Sequence, residues 1–215
     1  MKYSLKQFIR LIIGLFIFAA GIVLTINANL GLAPWDIFHQ GLANTVGITM
    51  GQANIVVAFF IVVLDVALGQ NIGWGTLLNM ILFGVFIDII MLNNMLPIAN
   101  TFVSGVVFIL VGLLIQGYGC YIYVSAGLGA GPRDGLMFVL TNRTGKSIRL
   151  IKSLIEIVAI IAGVILGGRF GFGTVLLAVV GGPIFQFAFR TVKFDSSKVE
   201  HHYITEDLKL LRNKM

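Results

Sequence analysis

Six side chains of this apolar sequence stand where they could do chemistry: Trp35, Asp36, Asp88, Arg133, Asp134 and Glu156. Asp36 and Asp134 each follow a proline by two residues, in "GLAPWD" (31–36) and "GAGPRD" (129–134). A carboxylate two residues after a helix-starting proline sits near the positive helix end, where it orients that end or attracts a cation. Arg133 would attract an anionic group. Glu156 lies in the middle of an apolar run, where an isolated carboxylate is costly unless it is paired, protonated or wet. It reads either as a structural partner of Lys152, one turn away, or of Arg133, or as a carrier of a proton or cation. Asp88 is nearer the end of its own run. Asp65 is close to the end of another and reads as interfacial only. Together the six residues suggest a path for a small polar or charged solute.

Such residues need a scaffold, and the composition names its solvent. The 215 residues are 58% hydrophobic and 11% charged, with a mean hydropathy of +0.98. An ordinary soluble domain is about 25% charged. This surface cannot be solvated by water, so the chain reads as one membrane domain, residues 1–194, with a polar cytoplasmic tail, residues 195–215. Ile204, Leu208 and Leu211 share one face of that tail, which allows a short helix on the headgroups or a frayed end. The net charge of +6 comes from loop clusters and is not a nucleic-acid patch. With a single cysteine, Cys120, no intrachain disulfide exists.

Six apolar segments fall at about 8–28, 51–68, 74–92, 102–125, 148–167 and 172–190. Each approaches the ~20 residues that cross ~30 Å of hydrocarbon as a helix. The two halves repeat at an offset of 98 residues without a gap: Gly14 with Gly112, Gly21 with Gly119, Pro34 with Pro132, Asp36 with Asp134, Asn44 with Asn142, Gly47 with Gly145, and Gly69 through Gly84 with Gly167 through Gly182 at five further positions. The units span about 8–92 and 106–190. The N-terminal run, which imitates a signal peptide, therefore belongs to the fold. Three spans per unit is odd, so the second unit enters the membrane from the opposite side. Basic residues agree: Lys2, Lys6, Arg10, Arg133, Arg143, Lys146, Arg149, Lys152 and Arg190 fall on the inner side and only Arg169 outside. Both termini are expected in the cytoplasm.

Between the first and second span of each unit, Pro34 and Pro132 start short helices, about 34–46 and 132–143, that stop near Gly47 and Gly145. Thr49 and Ser147 are the N-caps that follow, and Thr49 with Gln52 has capping-box spacing. Gly31, Gly129 and Gly131 permit close backbone approach before each proline. The short helices either lie in the two interfaces or re-enter the bilayer with their starts converging on a polar cavity. Asn79, Gln116 and Gln186 read as interhelical glue. Gly163 and Gly167 form GxxxG, which implies close packing and leaves a homodimer open.

"NRTGKS" (142–147) lacks the first glycine of a phosphate loop, since residue 140 is leucine, and Asn142 falls on the wrong side for glycosylation. His201 and His202 read as part of the polar tail or as a metal pair. No cofactor motif and no catalytic Ser/His or HExxH arrangement is present, so no enzyme is expected.

"LGLAPWD", "GAGPRDGLM", "RTGKS", "SLIE" ending at Glu156, "GFGT" and "GGP" make the chain similar to the YczE/YyaS/YitT group of bacterial membrane proteins, nearest its YczE branch. The resemblance covers nearly the whole chain and implies an inner-membrane protein. It implies no reaction. Two functions stay open: a small secondary transporter for a small polar or charged solute, or a membrane helper that binds a lipid or a partner protein of a biosynthetic or secretion complex.

Overall fold

The computed structural model describes residues 4–195 and 198–204. Within them the chain forms eight α-helices and no strand: α1 Leu5–Ile26, α2 Pro34–Val46, α3 Met50–Ala67, α4 Trp74–Leu92, α5 Phe102–Val124, α6 Pro132–Thr144, α7 Ile148–Ile165 and α8 Phe172–Thr191. Five of them, α1, α3, α4, α5 and α8, are long and apolar enough to cross a membrane. The sequence reading counts α7 as a sixth. It has the length, at 18 residues, but carries Arg149, Lys152 and Glu156, so composition alone does not qualify it. Large apolar side chains lie on the outer faces: Phe60, Val158 and Val179 are each about two-thirds exposed, as side chains facing lipid would be.

Local chemistry sets the boundaries. Pro34 and Pro132 occupy the first turns of α2 and α6, and Gly47 and Gly145 end them in the left-handed conformation. Thr49 accepts from Gln52 N and Gln52 reaches back, the capping box that the spacing predicts. Ser147 caps α7 through Leu150 N. Starts of α2 and α6, α3 and α7, and α4 and α8 each lie 98 residues apart (34 and 132, 50 and 148, 74 and 172).

The core is built on α1 against α5. Gly14 lies against Tyr123, Gly21 against Gln116 and Gly112, and Ala28 against Gly105, so the two helices run antiparallel. Small residues let the backbones approach closely, the packing mode that suits a solvent as apolar as the side chains. Leu11, Leu15 and Tyr123 close one end of this seam, Ala19, Ile22 and Phe83 its middle, and Ile109, Leu113 and Leu177 the other end. The pair Gly163 and Gly167 does not form one packing stripe. Gly163 lies against Phe38 of α2, whereas Gly167 has open space and a φ of 87° that ends α7.

Part of the tail also departs from the sequence reading. Residues 198–204 do not lie free in water: His202 N donates to Gly127 O at 2.9 Å and Ile204 N to Ile72 O at 3.0 Å. The backbone of two loops offers acceptors that the tail strands itself across. Leu208 and Leu211 lie outside the described residues.

The tight seam predicts a contrast between two glycines. A Cβ at Gly21 would lie 2.7 Å from Gln116 N and Gly112 O, whereas one at Gly182 meets nothing within 4 Å. Gly21→Ala is expected to cost about 1–3 kcal/mol as overpacking. Gly182→Ala is expected to be neutral or to stabilise by up to about 1 kcal/mol. Thermal unfolding of both purified variants checks the order.

Candidate functional site

The loops that precede α2 and α6 are held in the same way. Gly31 and Gly129 adopt φ of 118° and 117°, a conformation that favours glycine. Leu30 O then accepts from Gly173 N, and Leu128 O from Gly75 N, both at 2.6 Å. Thr76 Oγ1 donates to Ala130 O at 2.7 Å, and Leu32 N donates to Arg169 O at 3.3 Å. Each short helix therefore starts from a loop tied to the first turn of α4 or α8. Gly131 is the N-cap of α6, and Pro132 follows it.

These ties bring the first turns of α2 and α6 together. The Arg133 guanidinium lies 5.0 Å from the centre of the Trp35 ring, a cation–π contact. Arg133 Nη2 is 3.4 Å from His39 Nε2. His39 is 1% exposed and Asp36 2%. His39 Nδ1 lies 3.6 Å from Asp36 Oδ1 and 3.4 Å from the amide of Asn54. Arginine can only donate, so Nε2 accepts and the imidazole proton sits on Nδ1, towards Asp36. Asp36, His39 and Arg133 thus form a chain of charge and hydrogen bonding from one short helix to the other, with Trp35 stacked alongside.

Two cavities flank this chain. One, of about 210 Å³, is lined by Asn54, Asn79, Tyr123, Arg133 and Asp134, with Phe18 and Phe83 among its apolar walls. The other, of about 380 Å³, is lined by Trp35, Arg133, Asp134, Lys152 and Glu156. Lys152 and Glu156 occupy the positions of Asn54 and Ala58 in the repeat, and Ala58 lines the smaller cavity. The second space is lined by Trp35, Lys152 and Glu156, and the first by their repeat partners Arg133, Asn54 and Ala58. Arg133 and Asp134 reach both.

Five of the six candidate residues meet here: Trp35, Asp36, Arg133, Asp134 and Glu156. Glu156 is 35% exposed and 3.8 Å from Lys152, which is 64% exposed. Such an open pair contributes at most about 1 kcal/mol, so it does not bind the carboxylate fast. Asp88 is elsewhere. Its carboxylate accepts from the Thr49 hydroxyl and from Gly51 N, fixing the start of α3. Asp65, in the last turn of α3, is 1% exposed, and its Oδ1 has no hydrogen-bond partner. Asn79 faces a cavity as well as its neighbours.

His39 is the side chain at this junction that the sequence reading missed. Its signal was available: it follows Asp36 by one turn, in a helix whose repeat partner has Met137 at the same place.

The family model described as "family of unknown function (DUF6198)" matches residues 5–190. The uncharacterized membrane protein YczE of Bacillus subtilis is 41% identical over 179 residues, covering 81% of each chain. An uncharacterized protein of Haemophilus influenzae is 34% identical over 177 residues, covering 82% of this chain and 80% of its own. The uncharacterized protein YyaS of Bacillus subtilis is 25% identical over 199 residues, covering 91% and 94%. No solved structure matches significantly. These similarities and the apolar helices make the chain an integral membrane protein.

The position of Asp88 generates a stability prediction. Asp88→Ala leaves Gly51 N and the Thr49 hydroxyl without their acceptor, at a cost of about 1–3 kcal/mol. Thr49→Ala/Asp88→Ala should cost clearly less than the two single changes added, because they remove one shared contact. Denaturation of the three variants measures this.

Proposed function

The chain belongs to the family of unknown function DUF6198, and we propose that it is a small secondary transporter of the bacterial inner membrane, moving a small solute that carries an anionic group. In this reading α7 is the sixth span, since Lys152 and Glu156 line a cavity and its Leu154, Val158 and Ile161 are exposed apolar side chains. The two halves form an inverted repeat. Support comes from the antiparallel α1 and α5, the 98-residue recurrence of helix starts, and the basic residues that collect on one side. α2 and α6 are re-entrant half-helices. Their positive ends face one another, and the aspartates and Arg133 sit between them.

The observation that carries the reading is the cavity that joins Trp35, Arg133 and Asp134 to Glu156. A charged wall inside an apolar bundle is expensive unless it serves a polar occupant. Arg133 supplies donors for an anionic group. Glu156, loosely paired, is placed to exchange a proton with water in the same cavity.

The two ends of the bundle differ. On the outer side α2 closes on α7: a Cβ at Gly41 would lie 2.5 Å from Gly163 O, and one at Gly163 would lie 2.5 Å from Phe38 N. On the inner side the equivalent helices, α6 and α3, also meet, since a Cβ at Gly135 would lie 2.5 Å from Asp65 Oδ2, but a space of about 450 Å³ opens beside that contact. A transporter resting closed outside and open within would have its space on this side. Transport would exchange the two packings.

A second reading has one observation in its favour. An apolar groove of about 610 Å³, lined by Trp35, Phe38, Phe60, Leu136, Leu154 and Val158, opens beside the site. It fits an acyl chain, and a helper that holds a lipid would use it.

Stabilisation by small solutes separates the two readings. Formate, inorganic phosphate, sulfate and glycine are tested against purified wild type, Arg133→Leu and Trp35→Leu. At least one should raise the thermal midpoint of wild type and Trp35→Leu and leave Arg133→Leu unmoved. Stabilisation by lipid alone supports the helper. Topology is checked separately, by single cysteines at the exposed Thr45 and Arg143 in a Cys120→Ala background. They should label from opposite sides of the membrane, and labelling from the same side contradicts the inverted repeat.

A further inference from the structure

The inner space of about 450 Å³ is bounded by Asp65 of α3, Gln70, Asn71 and Ile72 of the following loop, Thr76 of α4, Gly135, Phe138 and Asn142 of α6, and the returning tail through Val199, His201 and Tyr203. Its size is within the range of about 300–1,000 Å³ that small organic ligands occupy. Two features of its wall are unexplained by the fold. The Asp65 carboxylate is 1% exposed, and its Oδ1 is buried with no hydrogen-bond partner. The His201 Nδ1 is likewise buried with no partner.

A buried carboxylate oxygen without a donor is costly, and native structures rarely tolerate one without a reason. Packing does not require it here. The repeat places Gly163 at the equivalent position, where the helices close without any polar group. Burial and the neighbouring His202 hold His201 below the usual imidazole range, so it is neutral and offers an acceptor nitrogen. The wall therefore includes a carboxylate and an acceptor nitrogen, and Gln70 and Asn142 add side-chain amides. Among the described residues no group of three His, Cys, Asp or Glu side chains could hold a metal ion. The complementary ligand is positively charged, organic in size and rich in N–H donors.

We propose that this space is a binding site for a small primary ammonium cation, held by Asp65 and His201 and enclosed by the tail. The tail is the removable wall. Residues 199–203 contribute three lining side chains, and two backbone hydrogen bonds, to Gly127 O and Ile72 O, fasten it. The site stands apart from the Arg133 cavities in charge and in lining, sharing only the Gly131 backbone with the smaller one. It is tested by equilibrium binding, whatever the transported solute.

The experiment measures the thermal midpoint of the full-length purified protein with ethylammonium, tetramethylammonium and sodium chlorides at equal ionic strength. Ethylammonium is expected to raise the midpoint by about 3 °C or more at saturation. Tetramethylammonium has the same charge and no N–H, and it should give no shift, nor should sodium. Asp65→Asn should abolish the shift. His201→Phe, on the tail and away from the helix packing, should weaken ethylammonium binding at least fivefold. Removing residues 198–215 should weaken it at least tenfold. The proposal is overturned by no shift with ethylammonium, by an equal shift with tetramethylammonium or sodium, or by a shift that survives in Asp65→Asn. Should Asp65→Asn fail to fold, unchanged binding in His201→Phe overturns it.

Discussion

Everything near the centre of this protein answers to one charge. Arg133 cannot shed its proton in a protein interior, and it begins a short helix whose own dipole is positive at that end. The fold meets this with the face of Trp35, an acceptor nitrogen on His39, and the carboxylates Asp36 and Asp134. The arrangement requires two short helices whose starts approach one another, and hence two loops that bring them there. The paired bonds from Leu30 and Leu128 to α8 and α4 are those supports. Removing the guanidinium would leave buried acceptors and like-charged carboxylates without their common partner.

The two halves share a frame, and their differences carry the chemistry. Trp35 faces Arg133 across the 98-residue offset, His39 corresponds to Met137, Asn54 to Lys152, Ala58 to Glu156, and Asp65 to Gly163. Each of these exchanges sets a polar or charged residue in one copy against a different or apolar one in the other. The glycine-rich turns, helix starts and helix stops are retained in both. The scaffold is duplicated and its lining has diverged: Lys152 and Glu156 put charge beside one cavity, and their partners Asn54 and Ala58 line the other.

Features decided within a few residues were legible in the sequence. The proline starts, the glycine stops, the Thr49–Gln52 box and the segment limits depend on local backbone chemistry, and they fall within a few residues of where the pattern puts them. The convergence of Trp35, Arg133 and Glu156 was legible because the repeat made their motifs conspicuous. What depends on tertiary approach was not. Asp88 looks like a path residue until α4 is laid beside the start of α3, where it becomes a cap. Asp65 lies near a helix end and so reads as wet, yet it is buried with Gly135 of α6 against its carboxylate. His39 resembles any polar residue on a short helix until Arg133 arrives from 94 positions away. The docking of residues 198–204 leaves no periodic trace at all.

The central claim is that α2 and α6 descend into the bilayer from opposite sides with their first turns deepest. Spin labels on Phe38, Leu42 and Val46, and on Phe138 and Thr144, report depth through the ratio of oxygen to nickel-chelate accessibility in reconstituted membranes. Eight residues of helix rise about 12 Å. The account predicts a depth gradient on each helix, with the label at Phe38 deeper than that at Val46 and the label at Phe138 deeper than that at Thr144. Equal, shallow depth along both helices would place them flat in the interfaces and contradict the account.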